Sequence, residues 1–450
     1  MKAKTNHYTK ITSAFIAVLL TFFLFCFGSG GYESISTVKR NAFFVVCGGY
    51  CAVILGLIGY RLAAKKSAFK GFRQLLADAS LAQLFAVLYL LFTLLATLLS
   101  PFRSYAWLGA SRGEGFLTIA IYCLTFLFVS QFASVKKWMV WLLGASCLAF
   151  SCICVLQLQS INVFSLFPGR YTYWDGGVAY NGRYIGTIGN VDHAAAFLSL
   201  AIPILWCSIV RLQDRKRFWL LIPLALLVYV LVRIDVSAGM LAVFGGFLFC
   251  LPVVLKGPKK LRLALVLLLV FLIVFGLVFV RVHDFGNQTL HEAHELLNGK
   301  ADRTFGTGRM YIWTEVMKRA ALRMPFGYGP DTMVLTGIEP FRRYDELSGK
   351  TLVSLIDSAH NEYLNVLFHQ GIFALFSFLC MIAVSLTGWI KKAQESGAAA
   401  ILGCGVLCYC IQALFGISQP ITSPFFWVTL ALLVKSCSIP LSSVLHSQSN

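Results

Sequence analysis

Charge is scarce in this chain. Asp, Glu, Lys and Arg together make up 13% of 450 residues, about half of what a soluble domain carries. That shortage excludes a water-soluble globule. Acidic residues are scarcer still, 19 against 38 Lys and Arg, giving a formal charge of +19. The polar stretches hold no cysteine; all 14 cysteines lie in or beside apolar runs. An exposed disulfide scaffold is thereby excluded. No small-residue cleavage site follows the first apolar run, which begins behind Lys2, Lys4 and Lys10 and so reads as a signal anchor. There is no internal repeat and no low-complexity linker.

What the chain has in abundance is hydrocarbon: 58% of its residues are hydrophobic. Apolar runs long enough for a roughly 30 Å bilayer core recur at about 11–27, 42–60, 79–99, 116–132, 138–157, 193–210, 218–234, 238–255, 263–281, 363–390, 398–416 and 424–438. The expected fold is an all-α integral membrane protein, one polytopic domain over 1–450 with about twelve transmembrane helices and one long, partly helical extracytoplasmic loop at 282–362. Basic residues gather in alternate short loops. One side holds 21 of the 38 Lys and Arg, including Arg61, Lys136, Arg217, Lys260 and Lys391, whereas the short loops opposite hold seven. By the positive-inside rule the first side is cytoplasmic, with both termini. The basic excess thus records topology with membrane lipids as its partner, and not nucleic acid.

Two long segments face outward on this reading, about 158–192 and 282–362. The second balances nine Lys or Arg (Lys300 to Lys350) with ten Asp or Glu (Asp284 to Asp357), so any anion site in it is local. Gly308–Arg323 reads as a helix, with Trp313, Met317, Ala320 and Ala321 on one apolar stripe. Arg309 falls on its first turn, where free N–H groups and a guanidinium would suit an anion; a helix lying on the membrane with solvated arginines fits the pattern equally. Pro325, Gly327, Gly329 and Pro330 mark a tight turn. His360 closes the loop at the start of an apolar run. A histidine there is either a general base or a hydrogen-bonded structural residue. His291 and His294 sit three residues apart without a third ligand, and read as solvated. Cys404, Cys408 and Cys410 have metal-like spacing inside an apolar run and read as small buried hydrophobes. In the first segment Arg183, Asn190 and His193 accompany irregular, glycine-rich backbone, which survives at membrane depth only where it lines a cavity. Arg233 and Asp235 lie in a short outer turn and are paired or functional.

Several local patterns together resemble the O-antigen ligase and polymerase family. Gly186-Thr187-Ile188-Gly189-Asn190 with His193-Ala194-Ala195-Ala196 is similar to that family's Gly-Asn segment, with Val191 and Asp192 in place of the commoner Pro and Asn. Arg309 with Trp313, followed by Pro325–Pro330, resembles its Arg-x-x-x-Trp helix and Pro-x-x-Gly-x-Gly turn. His360-Asn361, nine residues and Gly371 resemble the ligases' histidine pattern, from which Ala374 departs. Gly109, Arg112, Glu114 and Gly115 fit a minor segment, and the likeness extends over about 100–420. The resemblance implies a metal-independent, cofactor-free glycosyltransferase of the cytoplasmic membrane. It would move a glycan from undecaprenyl diphosphate to a sugar hydroxyl of a glycan or lipid-glycan acceptor at the outer face. His360 would be the catalytic base. Arg183 and Arg309 would hold the diphosphate, Asn361 would orient donor or base, and Asn190 and Arg233 would complete the substrate contacts. A repeat-unit polymerase and a protein O-oligosaccharyltransferase share these patterns. A transporter or flippase would instead show matching broken helices in two halves, and none is found.

Overall fold

The computed structural model describes residues 5–64, 79–159, 161–167, 174–175, 178–179, 186–286, 288–300, 305–345 and 350–437. Eight of its helices are long and apolar enough to cross a membrane: Ile35–Ala64, Leu81–Leu98, Lys137–Leu158, Val191–Arg211, Arg215–Ile234, Ser237–Val254, Lys259–Val282 and Glu362–Lys392. His7–Phe23, Phe116–Phe132, Gly397–Gln412 and Ser423–Cys437 are apolar but shorter. Each of the twelve sequence runs falls on one of these helices.

The helices begin where the sequence supplies caps. Ser80 and Gln83 form a reciprocal capping box ahead of Leu81–Leu98. Asn190, Asn361 and Ser396 each accept backbone N–H groups at later helix starts. Buried hydroxyls inside the bundle are satisfied locally: Thr93, Thr97, Ser199 and Ser208 donate to the carbonyl four residues earlier. Buried Lys39 donates to the carbonyls of Phe23 and Leu24, both at 2.7 Å, closing the end of the first helix.

Val191–Arg211 is buried along most of its length and packs on Gly397–Gln412. Glu362–Lys392 lies along Leu81–Leu98, and Ser423–Cys437 along Phe116–Phe132. Lys259–Val282 stands at the margin, with only Leu269 buried. Large apolar side chains such as Val45, Phe271 and Phe376 point outward, an apolar surface of the extent expected where lipid replaces water.

The long loop forms a small core of its own. Ile312, Val316, Ala320, Tyr328, Met333, Ile356 and Phe368 pack together beneath it. Its helix runs Phe305–Ala321, one turn earlier than the apolar pattern suggests, so Arg309 sits on the second turn. The stripe is also corrected. Met317 and Ala321 are exposed, and the buried face is Ile312, Val316 and Ala320, spaced i, i+4, i+8. An antiparallel hairpin, Phe341–Asp345 with Lys350–Ser354, pairs Phe341 with Ser354. A partly helical loop was the expectation; Thr351, Leu352 and Val353 are a strand-forming run within it.

Candidate active site

The Glu362–Lys392 helix is broken at Gly371, whose φ is 81° and ψ −178°. Only glycine adopts this backbone cheaply. A Cβ there would also overlap the Pro325 carbonyl. The break frees carbonyl and N–H groups, and the 325–330 turn takes them. Ile372 N donates to Pro325 O at 3.0 Å, Tyr328 N to Phe368 O at 3.0 Å and Gly329 N to His369 O at 2.7 Å. The proline–glycine turn and Gly371 are therefore one structure, joined main chain to main chain.

The irregular 357–361 segment runs from this core to the helix start and is tethered at every step. Trp313 Nε1 donates to Ala359 O at 2.9 Å. Asn365 accepts from Ala359 N at 2.8 Å and donates to Ser358 Oγ at 2.9 Å. Asn361 Oδ1 caps the helix by accepting from Leu364 N at 3.0 Å. Between them His360 takes a left-handed backbone, φ 49°, uncommon for a non-glycine residue and costly enough to require such anchoring. Its ring makes no hydrogen bond among the described residues, while its N–H donates to Ser358 Oγ at 3.2 Å.

A second loop closes on this segment from the Leu98–Phe116 connection. Arg112 Nη2 donates to Asp357 Oδ1 at 2.9 Å, and Ser111 Oγ to Asp357 Oδ2 at 3.0 Å. The loop is wrapped around Asp331, whose Oδ2 accepts the backbone N–H groups of Ser111, Arg112, Gly113 and Glu114 at 3.2, 2.8, 2.8 and 3.3 Å. Gly109, with φ 94°, lies so close to this carboxylate that a Cβ would overlap it. Successive N–H groups converging on one anion form a nest, and Asp331 fills it from within the chain.

Behind the Arg112–Asp357 pair is a cavity of about 60 Å³ with a mixed lining, in which Arg112, Glu114, Asp331, Asp357 and Glu362 stand among apolar and aromatic side chains such as Phe378 and Trp427. It has room for roughly four waters. Glu114 accepts from Tyr122 Oη at 2.7 Å and Ser418 Oγ at 3.1 Å. Glu362 accepts from Tyr409 Oη at 2.9 Å.

Charge around His360 is lopsided. Burial first, then the guanidinium groups of Arg112 and Arg309, push its imidazole down to about 4, with Asp357 opposing. The ring is therefore neutral at pH 7 and can accept a proton. Burial pushes the Asp357 carboxyl up, but the Arg112 charge and the Arg112 and Ser111 hydrogen bonds outweigh it and hold it below the usual range. Burial pushes Glu114 up to about 7 against its two hydroxyl donors.

The expected residues distribute unevenly over this geometry. His360 is at its centre. Arg309 is near enough to act on it electrostatically; its Nη1 donates to Gly306 O at 3.3 Å and its buried Nε has no partner. Asn361 and Asn190 are helix caps, the latter accepting from Asp192 N and His193 N at 2.8 and 3.3 Å. His193 is buried. Arg233 is exposed and makes no hydrogen bond or ion pair with the site or with Asp235 among the described residues. Arg183 lies outside the described residues. His291 pairs with Asp284 at 2.6 Å while His294 bonds the Val280 carbonyl at 2.8 Å, so the two serve different partners.

Residues 222–379 match the family model described as O-Antigen ligase. The chain carries an O-antigen ligase domain. The match takes in the Arg309–Trp313 helix, the 325–330 turn, His360 and Gly371. The 109–115 and 186–196 segments, part of the wider likeness over 100–420, lie outside it. No curated protein matches the chain. The match supports an O-antigen ligase-like membrane glycan-transfer function of the glycosyltransferase type, and the family implies lipid-linked glycans as substrates. Arg112, Asp357, Asp331, Glu114 and Glu362 complete the site beyond the expected set. The sequence signals for them were Arg112 and Glu114 in the minor segment, and Asp331 and Glu362 immediately after the proline–glycine turn and the His360-Asn361 pair.

Proposed function

We propose that this protein transfers a glycan from undecaprenyl diphosphate to an acceptor sugar hydroxyl at the outer face of the cytoplasmic membrane. The observation that carries the reading is His360: a neutral, unbonded imidazole held in a strained backbone by four neighbours, with two guanidinium groups near it. His360 takes the proton of the acceptor hydroxyl as that oxygen attacks the anomeric carbon. The bond from that carbon to the diphosphate oxygen breaks, and the lipid diphosphate leaves with the electron pair. Diphosphate is a good leaving group once its charge is met, so fixed cations matter more than a proton donor. Arg309 supplies one such charge, with Arg183 from the preceding segment. Arg112 supplies another, and its pairing with Asp357 keeps it oriented while leaving the other guanidinium N–H groups for phosphate oxygens. Asn190 and Asn361 act by fixing the two helix starts that face the site.

The topology belongs to the same reading. Twelve crossings put the basic loops and both termini in the cytoplasm, and the 282–362 loop outside.

Ala374 supports a second reading, the repeat-unit polymerase, because it departs from the ligases' pattern. Analysis of lipid-linked glycans in a deletion strain separates the two. Full-length chains accumulating on the carrier indicate a ligase, and single repeat units indicate a polymerase. Unchanged lipid-linked glycans would contradict both.

A further inference from the structure

Consecutive backbone N–H groups from Ala110 to Glu114 all end on one residue. Ala110 N donates to the main-chain carbonyl of Asp331 at 3.0 Å, and the next four donate to its Oδ2. These residues form neither helix nor strand, so the point on which their N–H groups converge sets their conformation. Gly109 and Gly113, with φ 94° and 72°, give the chain the curvature that convergence needs. Thr118 Oγ1 holds the far side of the loop by donating to Gly113 O at 2.7 Å. Asp331 is buried. Burial pushes its carboxyl up, and the N–H groups of Ser111, Arg112, Glu114 and Gly113 oppose that shift by favouring the charged form.

Asp331 is fixed from behind as well. It follows the 325–330 turn, which is seated on the Gly371 break through Tyr328 N and Gly329 N. Just beyond it, Thr332 Oγ1 donates to Gly329 O at 2.8 Å. Asp331 itself has a left-handed backbone, φ 52°, which glycine and asparagine also adopt readily. Contacts therefore run without a gap from the helix break, through the turn and Asp331, to the 109–115 loop. From there Arg112 reaches Asp357, three residues before His360.

We propose that Asp331 is the positioning residue for Arg112: its carboxylate is the resident anion of the nest, and the loop presents the guanidinium to Asp357 and to the donor diphosphate only while an anion is in place. The diphosphate part of this inference rests on the glycan-transfer reading above; the nest itself does not. Removing the carboxylate leaves four N–H groups without their acceptor, and they then turn to water in other loop conformations. Asp331→Gly removes a carboxymethyl group and suits the left-handed backbone. Acetate replaces the lost carbon and oxygen atoms one for one, with the same charge, so the emptied nest is a site for a small monocarboxylate.

The test uses the full chain in phospholipid nanodiscs, as wild type, Asp331→Gly and Asp331→Asn. Phenylglyoxal, which modifies guanidinium groups, is added, and the labelling rate of Arg112 is read by peptide mass spectrometry. Glycan transfer is measured in parallel. In Asp331→Gly, labelling should be about fivefold faster or more, and transfer about tenfold slower or more, the effect of losing one to two hydrogen bonds' worth of ordering. Sodium acetate should reverse both changes and saturate; sodium chloride at equal ionic strength should reverse neither. Asp331→Asn keeps an acceptor oxygen without the charge. It should label at an intermediate rate with no response to acetate, and it decides the question should the glycine variant fail to fold. Wild-type labelling of Arg112 in the variants overturns the proposal. So does faster labelling in Asp331→Gly that acetate leaves unchanged. Labelling reversed by acetate without recovery of transfer overturns the role of Asp331 in transfer. No product from the wild type contradicts the glycan-transfer reading alone, and the labelling rates still decide the nest.

Discussion

Arg112 and Asp357 meet at 2.9 Å across 245 residues of sequence, and Asp357 stands three residues before His360. The pair closes the 109–115 loop over the segment that carries the histidine. Both side chains are about a quarter exposed, so breaking the pair leaves a mostly buried charge behind. Arg112→Ala and Asp357→Ala should each lower transfer at least tenfold. The double variant should be less impaired than the product of the two, with a coupling of about 1–2 kcal/mol in thermal unfolding of the detergent-solubilised protein. Additive losses would mean that the pair does not act as a unit.

Gly371→Ala meets two penalties at once, a left-handed backbone and overlap with the Pro325 carbonyl. It should destabilise the protein by about 2 kcal/mol or more and abolish transfer, because the 325–330 turn is seated on the same break. Thermal unfolding checks the first expectation. A wild-type midpoint would show that the break is not tight.

Trp313→Phe keeps an aromatic ring, trims the indole's second ring and removes one donor to Ala359 O. The stability cost is about 1 kcal/mol, small enough for normal membrane levels. Transfer should fall by more than that cost implies, since the bond holds the residue next to His360. Equal activity in the variant, at equal abundance, would remove Trp313 from the positioning of the histidine.

The pH profile follows from charge. With burial, Arg112 and Arg309 pushing His360 down to about 4, the neutral base persists well below pH 6. Its acid limb therefore lies between pH 4 and 5, and a group near 7 such as Glu114 accounts for any limb at neutrality. Replacing Arg112 by Gln removes a positive charge beside the imidazole. The His360 pKa then rises toward its ordinary value of about 6.5, and the acid limb moves up with it. Transfer rates of wild type and Arg112→Gln across pH 4 to 8 test this. A limb that stays in place or moves down would contradict it.

Much of this was legible in the sequence because it is local. Apolar runs long enough for a bilayer give helices whatever surrounds them. Arg309 with Trp313, the proline–glycine turn and the interval from His360 to Gly371 each keep their chemistry within a few turns of chain. Partners distant in sequence leave no such trace. Arg112 with Asp357, and Ser418 with Glu114 across 304 residues, are brought together only by helix packing. The stripe of the 305–321 helix was misread for a related reason. Met317 and Ile312 are both apolar, and only the position of Tyr328 and Phe368 decides which faces inward. The break at Gly371 hides inside a continuous apolar run, since its cause is the carbonyl of Pro325 and not a neighbour in the helix.

His360 carries the account, and His360→Ala tests it most directly. Membranes from cells producing the variant at wild-type abundance, supplied with lipid-linked glycan and acceptor, should form no transferred product and leave the donor on its carrier. Product formed at the wild-type rate would contradict the assignment of His360 as the base.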